Sequence, residues 1–345
     1  MLYRVIDAAE LPSLVSAFME TYEVVAPVKR DQGYAFETIE SPDDIELAYP
    51  TTMASPKKYF LPPEETLMSF DARTNSVTDF AAEITPRVIF GAHACDINAV
   101  NRLDLVFKDG RYPDPYYVAR RNATLIVGIS CMPSETCFCH LWGSDEARFG
   151  YDLFLHRLGD KFLVSISSVE AANILESAVD LRDATNEDRI EFRHATRARQ
   201  AAFNPEIPEI QDVAMLMDAF HSDPFWEELG SKCLACNACA AVCPTCFCFD
   251  IQDVLDPDGQ TGQRQRIWDA CTSPQFAVVA GGHNFRPTGR ERVRHRMYHK
   301  LNGFLATYDR MLCVGCGRCV KACKANINPI EVLEFFERKG MQDAQ

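Results

Sequence analysis

The spacing of apolar residues divides the chain into two unlike parts. In "AAELPSLVSAFMETY" they recur three and four residues apart, the pattern of a helix with one buried face. "PRVIFGAHACDINAVNRLDLVF" reads as a buried strand, a turn of small residues and an amphipathic helix; "NATLIVGISC" is a second such strand and "KFLVSISS" a third. From residue 169 to 227 the period turns helical, through "VEAANILESAVDLR", "DRIEFRHATRARQAAF" and "EIQDVAMLMDAFHSDPFWEEL", with a break at Pro205 and Pro208. Strands alternating with helices predict an α/β domain over residues 1–225. Over residues 226–345 the organising residue is cysteine, and helix-like flanks surround it.

A length of 345 residues suits two domains. The net charge of −14 repels polyanions, which argues against nucleic acid and against adsorption to an anionic membrane. The start, "MLYRVIDAAELPSL", carries Asp7 and Glu10 where a signal peptide needs an apolar core, and no uncharged stretch is apolar enough to span a bilayer. The expectation is a cytoplasmic protein. In that compartment 15 cysteines are better explained as ligands than as disulfides.

"CLACNACAAVC" places Cys233, Cys236, Cys239 and Cys243 at C-x2-C-x2-C-x3-C spacing, and "CVGCGRCVKAC" repeats it with Cys313, Cys316, Cys319 and Cys323, an offset of 80 residues (313 − 233). A tight loop with two-residue gaps can aim three thiolates at one cubane, and in bacterial two-cluster ferredoxins the fourth cysteine of each run serves the other cluster. By that rule Cys233, Cys236, Cys239 and Cys323 hold one [4Fe–4S] cluster, and Cys313, Cys316, Cys319 and Cys243 hold a second. Paired C-x2-C motifs also build zinc sites, but four cysteines in eleven residues, twice over, fit iron and sulfur better. Pro244 follows the first run as the ferredoxin pattern expects, whereas Lys324 follows the second. The long insertion between the runs suits an α-helical ferredoxin domain rather than the compact small ferredoxin.

Seven cysteines remain. Cys95 follows the strand "RVIFG" and Cys131 ends "ATLIVGIS"; if those strands are parallel neighbours, both emerge at the carboxyl edge of a sheet, where α/β domains place ligands. "CMPSETCFC" then brings back Cys137 and Cys139, so four thiols could converge on a third cluster. The alternative is that they are buried and inert. Cys246, Cys248 and Cys271 are one short of a cubane set and read as packing near the clusters.

A basic stretch, with Arg286, Arg290, Arg292, Arg294, Arg296 and Lys300 against Glu291, stands out on an acidic chain. It reads as a solvated helix face, as compensation of anionic clusters or as a dock for an acidic partner. His295 and His299 within it read as surface residues. No catalytic set, such as Ser–His–Asp or paired carboxylates, stands out, and no GxGxxG follows any strand.

"ASPKKYFLPPEETLMSFD", "VIFGAHACDINAVNRLD", "GISCMPSETCFC", "KCLACNACAAVCPTC", "VAGGHNFRPT" and "CVGCGRC" together resemble the beta subunits of cytoplasmic NAD(P)-linked sulfhydrogenases, which are nickel–iron hydrogenases. The dicluster iron–sulfur subunit of the anaerobic sulfite reductases is similar too, sharing "ACDINA", "CFC" and "AGGH". The resemblance implies an electron relay between a flavin-containing subunit that reacts with NAD(P)H and a catalytic subunit carrying nickel–iron, or sirohaem in the sulfite reductase case. The missing dinucleotide signature favours such a relay over an enzyme with its own small-molecule site in the first domain.

Overall fold

The computed structural model describes residues 2–79 and 84–343. Its strands, in chain order, are β1 (Leu2–Asp7), β2 (Glu23–Arg30), β3 (Gly33–Thr38), β4 (Glu64–Asp71), β5 (Ser76–Asp79) and β6 (Arg87–Ala92), followed by β7 (Thr124–Ile129), β8 (Leu153–Leu158), β9 (Lys161–Ile166), β10 (Arg182–Asp183), β11 (Phe249–Leu255) and β12 (Thr261–Trp268).

The larger sheet has the order β10-β1-β9-β8-β7-β6-β2-β3. Strands β2, β6, β7 and β8 run parallel, which puts the expected strand pair, β6 and β7, side by side with their carboxyl ends on one edge. Runs such as Val88, Ile89 and Phe90 are buried because helices cover both faces. One face packs Leu14 and Phe18 of the helix Leu11–Met19 and Leu175 of the helix Val169–Ala178; the other packs Ile97 and Leu103 of the helix Ala94–Phe107 and Tyr117. The expected helices are present, and the segment around Pro205 and Pro208 separates Asn186–Ala201 from Val213–Ala219.

The second sheet has the order β11-β12-β4-β5 and differs from an all-helical ferredoxin module. Helices Phe225–Lys232, Gly289–Leu301 and Pro329–Asp343 do pack around Trp226, Met297 and Phe336. The insertion between the cysteine runs, however, forms a hairpin. Its turn is Asp256-Pro257-Asp258-Gly259, in which Gly259 takes φ 66° and the Asp258 carboxylate accepts the N–H groups of Gln260 and Thr261 at 2.9 and 3.0 Å. Strand β12 then pairs antiparallel with β4, from Ile267 opposite Glu64 to Thr261 opposite Asp71. The sheet therefore joins chain from both sides of residue 225. Arg266 on β12 is buried between Glu65 of β4 and Asp114, and Arg120 reaches the same Glu65 carboxylate at 2.5 Å.

Candidate metal centres

The two cysteine runs repeat in backbone as well as in spacing. Ala235 and Asn237 in the first loop have φ 52° and 62°, and Gly315 and Gly317, 80 residues on (315 − 235), have φ 67° and 72°. These left-handed residues coil each loop so that its thiols turn to one side before a short helix, Ala238–Ala241 or Arg318–Ala322, carries the chain away. The second loop must use glycine. A Cβ at Gly315 would lie 2.6 Å from the Cys139 backbone, and one at Gly317 would lie 2.3 Å from the Thr136 carbonyl oxygen. The loop thus sits directly on the "SETCFC" segment, where the Phe138 N–H donates to the Gly315 carbonyl at 2.8 Å.

Cys233, Cys236 and Cys239 line one cavity of about 560 Å³ together with Cys323 of the other run; Cys319 lines it as well. The Ile327 N–H donates to the Cys323 sulfur at 3.3 Å, and the Gly315 N–H to the Cys313 sulfur at 3.4 Å, contacts of the kind that tune a cluster's potential. Burial pushes the thiols of Cys313, Cys316 and Cys319 up, Cys316 to about 12, and neighbouring Cys243 adds to the rise in all three. Cys243 itself is held well below the ordinary thiol range by the Cys246 thiol, and by Lys300 and Arg296 beside it. Thiolate ligation makes a buried set of this kind release protons when metal binds.

Cys95, Cys131, Cys137 and Cys139 line a third cavity of about 380 Å³, with His93 and Cys316 in its wall. Contact with Cys139 and with Ser134 lowers the Cys137 thiol to about 6, while burial raises Cys131 to about 12. His93 is stacked on Tyr49 at 4.0 Å between ring centroids, and its buried Nε2 has no hydrogen-bond partner. A polar atom left unsatisfied in a wall of thiols suits a site completed by a bound group. Among the described residues no three His, Cys, Asp or Glu side chains converge on a single ion.

The basic stretch divides in two. Arg290, Arg292 and Arg294 donate to the backbone carbonyls of Ser222, Pro287 and His221 at 3.1, 2.7 and 3.2 Å. Arg296 and Lys300 lie on the buried face of the same helix. Arg296 donates to the Cys239 carbonyl at 3.0 Å and reaches the Cys246 sulfur at 3.5 Å, and Lys300 donates to Thr245 Oγ1 at 2.9 Å. Of the readings of this stretch, charge compensation fits Arg296 and Lys300, and Arg296 does not belong with an exposed docking patch. The expected result for Arg296→Gln is unchanged iron content with a reduction potential more negative by on the order of 100 mV, the scale of one unit charge a few ångströms away at an effective dielectric of about 20. Redox titration followed by EPR reads it.

Residues 232–327 match the family model of the 4Fe–4S dicluster domain, so the class defined by the fold and the two cysteine loops is an iron–sulfur protein. The chain is 37% identical over 342 residues to sulfhydrogenase 2 subunit beta of Pyrococcus furiosus, a match covering 99% of this chain and 100% of that one. It belongs to the sulfhydrogenase beta-subunit family. No solved structure matches it. Among the described residues no helix is long and apolar enough to cross a membrane.

Proposed function

We propose that this chain relays single electrons within a multisubunit hydrogenase, between a flavin-containing subunit that reacts with NAD(P)H and a nickel–iron catalytic subunit. The observation that carries the reading is the end-to-end likeness to a sulfhydrogenase beta subunit, which also favours a nickel–iron partner over the sirohaem partner of a sulfite reductase. In this reading Cys233, Cys236, Cys239 and Cys323 hold one [4Fe–4S] cluster and Cys313, Cys316, Cys319 and Cys243 the other; the cavity that Cys323 shares with the first run supports the crossed arrangement. Cys95, Cys131, Cys137 and Cys139 hold a third, which the shared cavity and the unpartnered His93 nitrogen support. The domain boundary is proposed at 225/226, with the hairpin β11–β12 reaching back across it.

Iron–sulfur clusters supply one-electron chemistry. The protein's own part is to hold them, bury them and set their charge. Arg296 and Lys300 bring cations to the thiolates, which favours the reduced, more anionic state. Close contact between the second loop and Thr136–Cys139 keeps the second and third sites adjacent.

Metal analysis of the anaerobically purified chain tests the reading. Two cubanes give about eight irons with matching acid-labile sulfide and a third raises both to about twelve. Near-stoichiometric zinc with little iron would sink it. Turnover of NAD(P)H with a dye by the chain alone would reverse the relay assignment.

A further inference from the structure

Between the helix Asn186–Ala201 and the larger sheet lies an arginine-lined hollow that the relay reading does not use. We propose that it binds a phosphate-bearing small molecule with a planar ring, of the nucleotide class, whose phosphates lie on Arg199 and the arginines around it. The proposal goes beyond the relay reading, and binding there can be measured whether or not the neighbouring thiols hold a cluster.

The helix makes the site. Phe192, Thr196 and Arg199 recur four and three residues apart and so share one face, which meets the sheet, while Arg193 and Arg197, one turn apart, flank it. Two cavities result. One, of about 1300 Å³, is lined by Arg148, Arg193, Arg197 and Arg199 with Tyr3 and Phe192. The other, of about 740 Å³, is lined by Arg157, Arg199, Phe192 and Cys131. They share His156, Phe192, Thr196 and Arg199 and therefore lie side by side. Ser130 and Cys131 bring the second cavity to the carboxyl end of β7, an edge at which α/β sheets place ligands.

Charge argues that an anion belongs there. Arg199 is 9% exposed, and its buried Nε has no hydrogen-bond partner. Its Nη2 donates to Glu146 Oε1 at 3.3 Å, a long bond to a side chain that is itself 48% exposed. A guanidinium withdrawn from water with so little in exchange is under-satisfied, and a bound anion relieves it. Arg148, Arg157, Arg193 and Arg197 stand exposed around it, and among the described residues none of the four forms an ion pair. Glu146 is the one carboxylate among the described lining residues, on a chain whose net charge is −14. Guanidinium forks take phosphate oxygens in pairs, a recognition that needs no glycine-rich loop. Tyr3 and Phe192, both half-buried, supply an apolar wall for a planar ring, and the space is far more than a lone inorganic anion fills. A hollow with a buried cation in its wall suits a small molecule better than the flat surface of a partner subunit. Arg199 also lines the cavity of Cys131, Cys137 and Cys139, so the bound phosphate stands next to the third thiol set.

Calorimetric titration of the full-length chain, purified anaerobically, with ADP, pyrophosphate and adenosine tests the proposal. ADP is expected to bind once per chain, pyrophosphate more weakly, and adenosine, which lacks phosphate, not measurably. Arg199→Met is expected to weaken ADP by about tenfold or more, the scale of one lost hydrogen bond between charged groups. Should that variant fail to fold, the double variant Arg193→Ala with Arg197→Ala decides, since both positions are exposed. It is expected to bind ADP several-fold more weakly, with the deficit shrinking as salt rises. Failure of both ADP and pyrophosphate to bind overturns the proposal, as does adenosine binding as tightly as ADP, or ADP binding unchanged in the double variant. A double variant that loses affinity for a partner subunit, from a wild type that binds no ADP, assigns the arginines to a protein interface and refutes the site. The titration reads the same on a chain of about eight irons or about twelve, so its failure is distinct from failure of the relay reading.

Discussion

Replacing Cys323 with alanine is expected to remove the cluster built on Cys233, Cys236 and Cys239, although Cys323 lies more than 80 residues away in the other run. The four line a common cavity, into which the Ile327 N–H also points through the Cys323 sulfur. Iron should fall by about four per chain, one cubane's content, and a single EPR signal should vanish. The reciprocal variant, Cys243→Ala, should spare that signal and abolish the one that depends on Cys313, Cys316 and Cys319, the three thiols whose ionisation Cys243 opposes. Loss of the Cys313-dependent signal in the Cys323 variant would mean that each run holds its own cluster. Because Cys319 also reaches the first cavity, a Cys319→Ala variant completes the comparison: its damage should fall on the Cys313-dependent signal.

The second large effect is expected at Arg318. Its guanidinium is bidentate on Asp96, at 2.7 and 2.9 Å, with both side chains 1% exposed, and it also donates to the Thr52 carbonyl and hydroxyl at 3.0 Å each. Asp96 neighbours Cys95, and Arg318 lies between Cys316 and Cys319, so one ion pair ties the α/β sheet to the second cluster loop. Arg318→Met strands a buried carboxylate and should cost about 3–5 kcal/mol. Denaturant unfolding of the variant should show a lower midpoint with an unchanged slope. Replacing both partners, as Asp96→Leu with Arg318→Met, should recover most of that loss, because an apolar pair leaves no orphaned charge. A double variant no more stable than the single one would show that the bonds to Thr52, rather than the pair itself, hold the loop.

Much of this was legible in the residues. Buried runs of Val, Ile and Leu marked β6, β7 and β9, and their sequence context put Cys95 and Cys131 at the carboxyl edge of two parallel strands. The hairpin was less so. Asp-Pro-Asp-Gly at 256–259 is a turn signal, and "TGQRQRIW" alternates, but no local pattern says that β12 pairs with a strand 203 residues earlier (267 − 64). In the basic stretch a finer signal was present. Val293, Arg296, Met297, Lys300 and Leu301 recur at helical spacing and share the buried face. A cation on an apolar helix face is a cation with a buried partner. Lys57 carried no such mark, since in "SPKKYF" nothing local separates it from Lys58. Its place is set by Trp268 and Cys246, contacts that only the folded chain makes.

The pairing of β4 with β12 has a consequence for synthesis on the ribosome. At roughly 5–20 residues per second, the ~200 residues between the strands take about 10–40 s to emerge. Through that interval the edge of β4 that β12 later covers is open, the kind of edge that recruits other chains, and Glu65 awaits the arginine of β12. The nascent chain must therefore keep this hairpin unaggregated until the first cysteine run and the β11–β12 hairpin have been made. Production of the protein should gain more from slower initiation, or from a chaperone that shields strand edges, than from added iron.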